Sequence, residues 1–262
     1  MKIKSLALAS TMILLAPIAN AHTPYLKPLS FEPVSRDSMT LDASFAEQFF
    51  VPEVAISNAP FEVEQPDGSV VPVERVVNLK TRNVLEQTLE QEGTYKFSTG
   101  KRLGAIFRVY DLNGERGSVR GNEEPLPEGA VLTEHFQSVT SAVAYVTKKG
   151  PTEKVLAGTG KGLEIVPATH PNGLFAGDRF EFTLQYEGKP LAEQTVTVYF
   201  ANDQFSEEAD FQKLTTNSKG VASATLDKQG LYLLQVRVKE AAPEGEAVPL
   251  YSYTTTLTLE AF

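Results

Sequence analysis

The stretch RFEFTLQY at residues 179–186 decides the fold class of this chain. It alternates polar and apolar side chains, which is the pattern of a β-strand with one face buried and the other in solvent. A Glu-Gly-Lys-Pro turn follows at 187–190, and TVTVYF at 195–200 resumes the alternation. The order of strand, turn and strand predicts antiparallel β-structure.

The same pattern extends through the second half of the chain. Short apolar-polar runs are separated by turns at 217–220 and 229–230. About six or seven short strands joined by turns are typical of an immunoglobulin-like or transthyretin-like β-sandwich. The further predicted strands lie at 163–166, 221–226, 231–238 and 251–259.

The first half repeats this organisation less regularly, and one motif occurs in both halves. Gly93-Thr94-Tyr95 follows Asp37, and Gly230-Leu231-Tyr232 follows Asp178 at a similar spacing. Gly relieves the turn that enters a strand and Tyr caps the core, so the motif suits a β-sandwich. We therefore predict two tandem β-sandwich domains, at 22–150 and 151–262, with a boundary in the Gly-, Pro-, Thr- and Lys-rich segment 148–161.

The N-terminus has the features of an export signal. Lys2 and Lys4 precede a mostly apolar run from Leu6 to Ile18, which ends in the small-x-small sequence Ala19-Asn20-Ala21. The run is too short to span a bilayer as a helix, and no later segment approaches the required length. We predict a signal peptide at 1–21 and a mature protein that begins at His22 in the Gram-negative periplasm.

Composition argues against several classes of function. Removing the two signal-peptide lysines leaves 22 basic and 33 acidic residues, so the mature net charge is 22 − 33 = −11. Nucleic acid and anionic membrane surfaces attract basic proteins, so neither is an expected partner. The chain has no Cys, which removes disulfides, thiolate metal sites and thiol catalysis.

The common local motifs of enzymes are also missing from the sequence. There is no His-Glu-x-x-His and no Gly-x-Ser-x-Gly. The glycine-rich segment 158–162 differs from a phosphate loop because Val155 replaces its first Gly and Gly162 replaces its Mg²⁺-binding Ser or Thr. A Ser-His-Asp site assembled from distant residues stays open. We predict a protein that is not an enzyme.

Three histidines, His22, His135 and His170, are the candidate metal ligands. After cleavage, His22 offers a free α-amine and an imidazole to one ion, a compact chelate suited to Cu²⁺, Ni²⁺ or Co²⁺. Pro24 and Pro28 stiffen the segment that follows. The alternatives are that cleavage merely leaves a His at the terminus, and that the other two are hydrogen-bonded loop or surface residues.

The mature N-terminus, HTPYLKP at 22–28, is followed by GLEIVP at 162–167 and by turns at 188–191 and 215–220. This order resembles an uncharacterised bacterial periplasmic family whose members begin with His soon after signal cleavage. The family is often labelled as a NikM-like periplasmic component of cobalt or nickel uptake, and the resemblance covers essentially the whole mature chain. It implies capture or delivery of Ni²⁺ or Co²⁺, an inner-membrane metal permease as partner, and His22 as the ligand carried over.

Three functions stay open on this scaffold. The leading prediction is a periplasmic protein that binds a divalent transition metal for uptake or delivery. The alternative is an Ig-like interaction or structural module that binds a protein or glycan partner at the cell envelope. The third is a copper site at His22 used for oxidative chemistry. Because a tandem β-sandwich can host all three, the fold alone does not decide between them.

Overall fold

A computed structural model describes residues 22–33, 37–201 and 211–262, so the predicted signal peptide lies outside the described residues. A short 3-10 helix, Lys154–Leu156, lies between the strands of the two halves. The strands of the first half are β1 (Thr23–Pro28), β2 (Ser38–Ala46), β3 (Glu62–Glu64), β4 (Val70–Pro72), β5 (Arg75–Asn78), β6 (Asn83–Thr88), β7 (Gly93–Ser98), β8 (Arg102–Leu112), β9 (Glu115–Arg120) and β10 (Val131–Lys148). Those of the second half are β11 (Leu163–Pro167), β12 (Arg179–Tyr186), β13 (Lys189–Pro190), β14 (Thr195–Phe200), β15 (Phe211–Thr215), β16 (Val221–Thr225), β17 (Gly230–Ala241) and β18 (Leu250–Ala261).

The prediction of an all-β fold is confirmed. The stretch 179–186 is β12, and its apolar residues Phe180, Phe182 and Leu184 are all fully buried. The stretch 195–200 is β14. No helix in the described ranges is long and apolar enough to cross a membrane.

The strands form three sheets. The N-terminal sheet has the order β1-β2-β6-β5, and the C-terminal sheet contains β11, β12, β13 and β16. The third, which we call the shared sheet, has the order β15-β14-β17-β18-β10-β7-β3-β4, with β8 and β9 attached to β10. The N-terminal sheet packs on the β10-β7-β3 part of the shared sheet, and the C-terminal sheet packs on the β14-β17-β18 part. The molecule is therefore two β-sandwiches built on one continuous sheet.

Strand β10 joins the two sandwiches because it is buried on both faces. Ala142, Ala144 and Val146 lie in the N-terminal core, whereas Val139 and Tyr145 lie in the C-terminal core. This division follows from the two-residue period of a strand, which sends successive side chains to opposite faces. Along its edges, β10 pairs in parallel with β18 and antiparallel with β7.

The motif repeated in the two halves forms the same structure twice. Tyr95 Oη donates to Gln91 O and accepts from Gln91 N, both at 2.8 Å. Tyr232 Oη makes the same pair of bonds with Lys228 O at 2.7 Å and Lys228 N at 2.8 Å. The glycines before them, Gly93 and Gly230, have φ of 131° and 135°. Each unit is a tyrosine corner of the kind found in immunoglobulin-like sandwiches.

The tyrosine corners give a first prediction. Replacing Tyr95 or Tyr232 by Phe keeps the buried ring but leaves one backbone N–H and one C=O without their partner. We expect each change to lower the free energy of unfolding by about 1–3 kcal/mol, measured by urea denaturation. Tyr110→Phe, whose ring is half-buried on β8, is the control and should change stability by less than about 0.5 kcal/mol. Wild-type stability in both corner variants would show that the corners do not contribute.

Candidate functional site

A cleft of about 710 Å³ lies where the two sandwiches meet. Its floor is the face of β10, β7 and β3 that points away from the N-terminal core, at the place where the C-terminal sheet ends. Its wall, opposite this floor, consists of β11 and the preceding segment 156–162. Because the C-terminal sheet covers only part of the shared sheet, the offset between the sandwiches creates the cleft.

The wall strand β11 presents an unpaired edge. Gly162 accepts a backbone hydrogen bond from Glu187 and Ala168 donates one to Glu181, so the even-numbered residues of β11 bond to β12. In an antiparallel pair the intervening residues point their peptide groups the other way. The peptide groups of Leu163 and Ile165 therefore face the free edge, where Thr255 Oγ1 donates to Leu163 O at 2.8 Å. In the described ranges β12 is the only strand paired with β11, so the edge-facing peptide groups of Ile165 have no strand partner.

The floor of the cleft combines apolar and charged side chains in register. One row across the sheet holds Glu64, Lys96 and Tyr145, and the next holds Glu62 and Ser98, continuing to Val143. Lys96 Nζ lies 4.0 Å from Glu164 Oε1 on the opposite wall, with both side chains about nine-tenths buried at 12% and 13% exposure. This contact spans the cleft.

Glu164 on the wall and Glu64 on the floor differ in the hydrogen bonds that their carboxylates accept. Glu164 accepts hydrogen bonds from Thr159 N at 2.9 Å and Gly160 N at 2.8 Å. The Glu64 carboxylate makes no hydrogen bond or close ion pair with the described residues. Burial raises the pKa of Glu64 and the negative charge of Glu164 adds to the rise, whereas Lys96 and Lys154 oppose it. The β3 part of the floor therefore carries a carboxylate that no direct partner in the described ranges neutralises.

The cation at the other end of the floor is held by aromatic rings. Lys101 Nζ lies 5.3 Å from the centroid of the Tyr251 ring and 6.0 Å from that of Tyr253. The Tyr253 ring also packs edge-on against Tyr186, with centroids 5.2 Å apart. Burial raises the pKa of Tyr253, so its hydroxyl is protonated at neutral pH and can serve as a donor.

Of the three predicted ligands, His22 lies beside a carboxylate. Its Nε2 is 3.0 Å from Glu53 Oε2, and both side chains are partly exposed. Glu53 Oε1 accepts from Glu47 N at 2.9 Å, which fixes the carboxylate. The structure therefore places a carboxylate next to the predicted mature N-terminus, at a position that the sequence did not indicate.

His135 lies on the arm formed by β8, β9 and the start of β10. Its Nε2 donates to Asn122 Oδ1 at 2.9 Å, and its cross-strand neighbour is Arg108. The positive charge of Arg108 disfavours binding of a metal cation to the His135 ring. The observed contacts are those of a surface histidine.

His170 belongs to a buried network that links both sandwiches and the segment between them. Thr147 Oγ1 donates to Asn172 Oδ1 at 2.8 Å, so it accepts from Thr94 Oγ1 at 3.1 Å. The Nε2–H of His170 then donates to Thr94 Oγ1 at 3.0 Å, and its Nδ1 accepts from Asn172 N at 3.2 Å. Both ring nitrogens are engaged within the protein.

The structure does not bring the three histidines together. His135 and Thr147, which marks the position of His170, are twelve residues apart on β10, or roughly 40 Å along the strand at about 3.3 Å per residue. Among the residues that the structure describes, no three His, Asp or Glu side chains are grouped to hold an ion. His135 and His170 therefore lie too far apart to hold one ion together, and each of the three histidines as a separate ligand stays a prediction.

The similarity between this chain and the solved structures that match it is weak. The D0–D1 domain of intimin is 12% identical with a TM-score of 0.21, and the match covers 90% of this chain and 97% of that one. A DUF4785 family protein from Legionella pneumophila is 13% identical with a TM-score of 0.26, covering 81% of this chain and 50% of that protein. The FN1–FN3 domains of chicken CNTN1 are 8% identical with a TM-score of 0.23, covering 91% and 98%.

Sequence comparison is more specific about the family. No curated protein matches this chain. A family model described as a domain of unknown function, DUF4198, matches residues 19–240, which include most of both sandwiches and most of the cleft lining. The chain therefore belongs to the DUF4198 family.

Proposed function

We propose that this protein is a non-enzymatic interaction module of the cell envelope that binds a segment of a partner protein in the cleft between its sandwiches. The observation that carries the proposal is the unpaired edge of β11, which lines a cleft of about 710 Å³. An extended peptide can add to such an edge through main-chain hydrogen bonds, and side-chain pockets then give specificity. The cleft volume lies within the range of about 300–1,000 Å³ typical of ligand sites.

The lining supports a peptide ligand. Val139, Val143 and Ile165 provide apolar lining, while Ser141 provides a hydroxyl group beside it. This combination suits a chain that carries both apolar side chains and polar peptide groups. The free N–H and C=O of Ile165 supply the donor and the acceptor that a paired strand requires.

A peptide library tests the proposal. Random octapeptides displayed on phage are selected on the processed protein, and the selected peptides are titrated by fluorescence anisotropy. Ser141→Trp fills the cleft and should weaken binding by about tenfold or more, which is about 1.4 kcal/mol. Ser118→Trp, on the exposed strand β9 outside the cleft, is the matched control and should bind like the wild type. Failure to select any peptide, or equal binding by both variants, would contradict the proposal.

A second candidate function is metal binding at the mature N-terminus, and the position of Glu53 favours it. Cleavage after Ala21 would give His22 a free α-amine, so amine, imidazole and the Glu53 carboxylate would offer two nitrogens and one oxygen. Such ligands suit Cu²⁺, Ni²⁺ or Co²⁺. Together with the NikM-like resemblance, this supports capture of Ni²⁺ or Co²⁺ in the periplasm for an inner-membrane permease.

Calorimetric titration of the exported, processed protein with Ni²⁺, Co²⁺ and Cu²⁺ tests this second candidate. An extra Ala before His22 removes the chelate and should weaken binding at least tenfold, and Glu53→Gln should weaken it several-fold. Glu47→Gln changes an exposed neighbouring carboxylate and should leave the affinity unchanged. Equal binding with and without the extra Ala would exclude the N-terminal site.

A further inference from the structure

We propose that the segment bound in the cleft is cationic and places Lys or Arg side chains against Glu62 and Glu64 of β3. This inference rests on the proposed function, because it specifies the chemistry of the peptide that pairs with β11. The distribution of charged side chains over the cleft lining supports a cationic ligand.

The two carboxylates form a ready pair. Glu62 and Glu64 are two residues apart on one strand and both line the cleft, so they project to the same side about 7 Å apart. Both side chains are half-buried, and neither carboxylate makes a hydrogen bond or close ion pair with any residue in the described ranges. Partly buried carboxylates are ordinarily paired, so two adjacent ones without partners indicate a ligand that supplies donors.

The protein's own cations do not fill this role. Lys96 is directed at Glu164 on the opposite wall, and Lys101 lies over the rings of Tyr251 and Tyr253. The complete lining contains four glutamates and three lysines, which leaves an excess of one negative charge. Because the pKa of Glu64 is raised by burial despite the charges of Lys96 and Lys154, the desolvation of this carboxylate is only partly offset within the protein.

An extended peptide matches this arrangement. Its side chains at positions i and i+2 point to one side and are separated by about 7 Å, which is the spacing of Glu62 and Glu64. Glu164 on β11 reaches Lys96 on β7, and β3 lies one strand spacing, about 4.8 Å, beyond β7. Long basic side chains of a strand on the β11 edge therefore extend toward β3. Guanidinium and ammonium groups form charge-assisted hydrogen bonds with such carboxylates.

The peptides selected on the wild-type protein test the inference. We expect Lys or Arg to be enriched at two alternate positions, and their exchange for Gln to weaken binding about tenfold. The double variant Glu62→Gln, Glu64→Gln should lose affinity to the same extent. Because it removes half-buried charge, it should melt no lower than the wild type, which separates loss of binding from loss of folding. Glu123→Gln with Glu124→Gln, on the exposed loop after β9, is the matched control.

The pH dependence gives a second readout. Protonation of Glu64 competes with a cation, and its pKa is raised, so affinity for the basic peptides should fall as the pH is lowered through the acidic range. Selection of neutral or acidic peptides, or equal binding by the double variant, would overturn the cationic preference while Ser141→Trp still abolished binding. If Ser141→Trp also bound normally, the cleft itself would be the wrong site. Binding of a glycan in place of any peptide would overturn both statements.

Discussion

Phe97→Ala and Phe182→Ala should each lower the free energy of unfolding by about 3–5 kcal/mol, although the two rings lie in different sandwiches. Both rings are fully buried, Phe97 in the N-terminal core and Phe182 in the C-terminal core. Truncation removes buried apolar surface and leaves a cavity that neighbouring side chains fill only in part. Val131→Ala, at a side chain that is 65% exposed, is the control and should change stability by less than about 0.5 kcal/mol.

The more informative expectation is that either substitution shifts one common transition. Unfolding of the N-terminal sandwich would strip one face of β10, and unfolding of the C-terminal sandwich would strip the other. Neither sandwich can therefore lose its order without exposing residues of β10 such as Val146 or Tyr145. Calorimetry should show a single peak that moves down in both variants. Two peaks, with only one displaced by each substitution, would show that the sandwiches fold independently.

This shared strand marks the limit of what the sequence predicts about the fold. The strands β12, β14 and β16 follow from alternation and turns, because the fully buried residues of each lie on one face. The run at 138–146 is apolar on both faces, and periodicity does not distinguish such a run from a short helix. Its parallel pairing with β18, between residues more than one hundred positions apart, leaves no local signal either.

Strand β18 illustrates the same limit. Tyr251, Tyr253, Leu257 and Leu259 lie in the C-terminal core, as the alternation predicts. The polar face is buried too, because β1 crosses it and Thr256 Oγ1 donates to Pro24 O at 2.8 Å. Threonines in alternation indicate a solvent-exposed face, and only the tertiary arrangement shows that another strand covers them.

The candidate sites are less accessible to sequence reasoning than the fold. His22 stands out because its position follows from the cleavage motif, whereas Glu53 is one of many acidic residues and becomes notable only through its 3.0 Å contact. In the sequence, the cleft residues Glu62, Glu64 and Lys96 look like the solvent-facing polar residues of any alternating strand. Their significance depends on the offset between two sheets, which is a property of packing and not of local pattern.

Asn172→Asp should destabilise the protein by about 3–5 kcal/mol at neutral pH, because it places a carboxylate where the structure needs a donor. Asn172 is buried, and its Nδ2 donates to Tyr145 O at 3.1 Å while its Oδ1 accepts from Thr147. A carboxylate retains the second bond but opposes a carbonyl oxygen across the first. Since the side chain sits between His170 and β10, this substitution tests whether the network holds the sandwiches together.

The loss should depend on pH in a defined direction. Once protonated, the introduced carboxyl group can donate to Tyr145 O, so the folded state would bind this proton more tightly than the unfolded state. The pKa of that carboxyl group would therefore be raised on folding. The stability of the variant relative to the wild type should fall as the pH rises through the acidic range and recover on acidification.

A second Asn→Asp change separates this effect from that of an added charge alone. Asn217→Asp is the matched control, because its side-chain oxygen accepts from Lys219 N and Val221 N in an exposed turn and its amide is not needed as a donor. Urea denaturation of both variants between about pH 4 and about pH 8 checks the sign. A pH-independent loss, or a loss equal to that of the control, would mean that the Asn172 side-chain amide is not the donor that holds Tyr145 O.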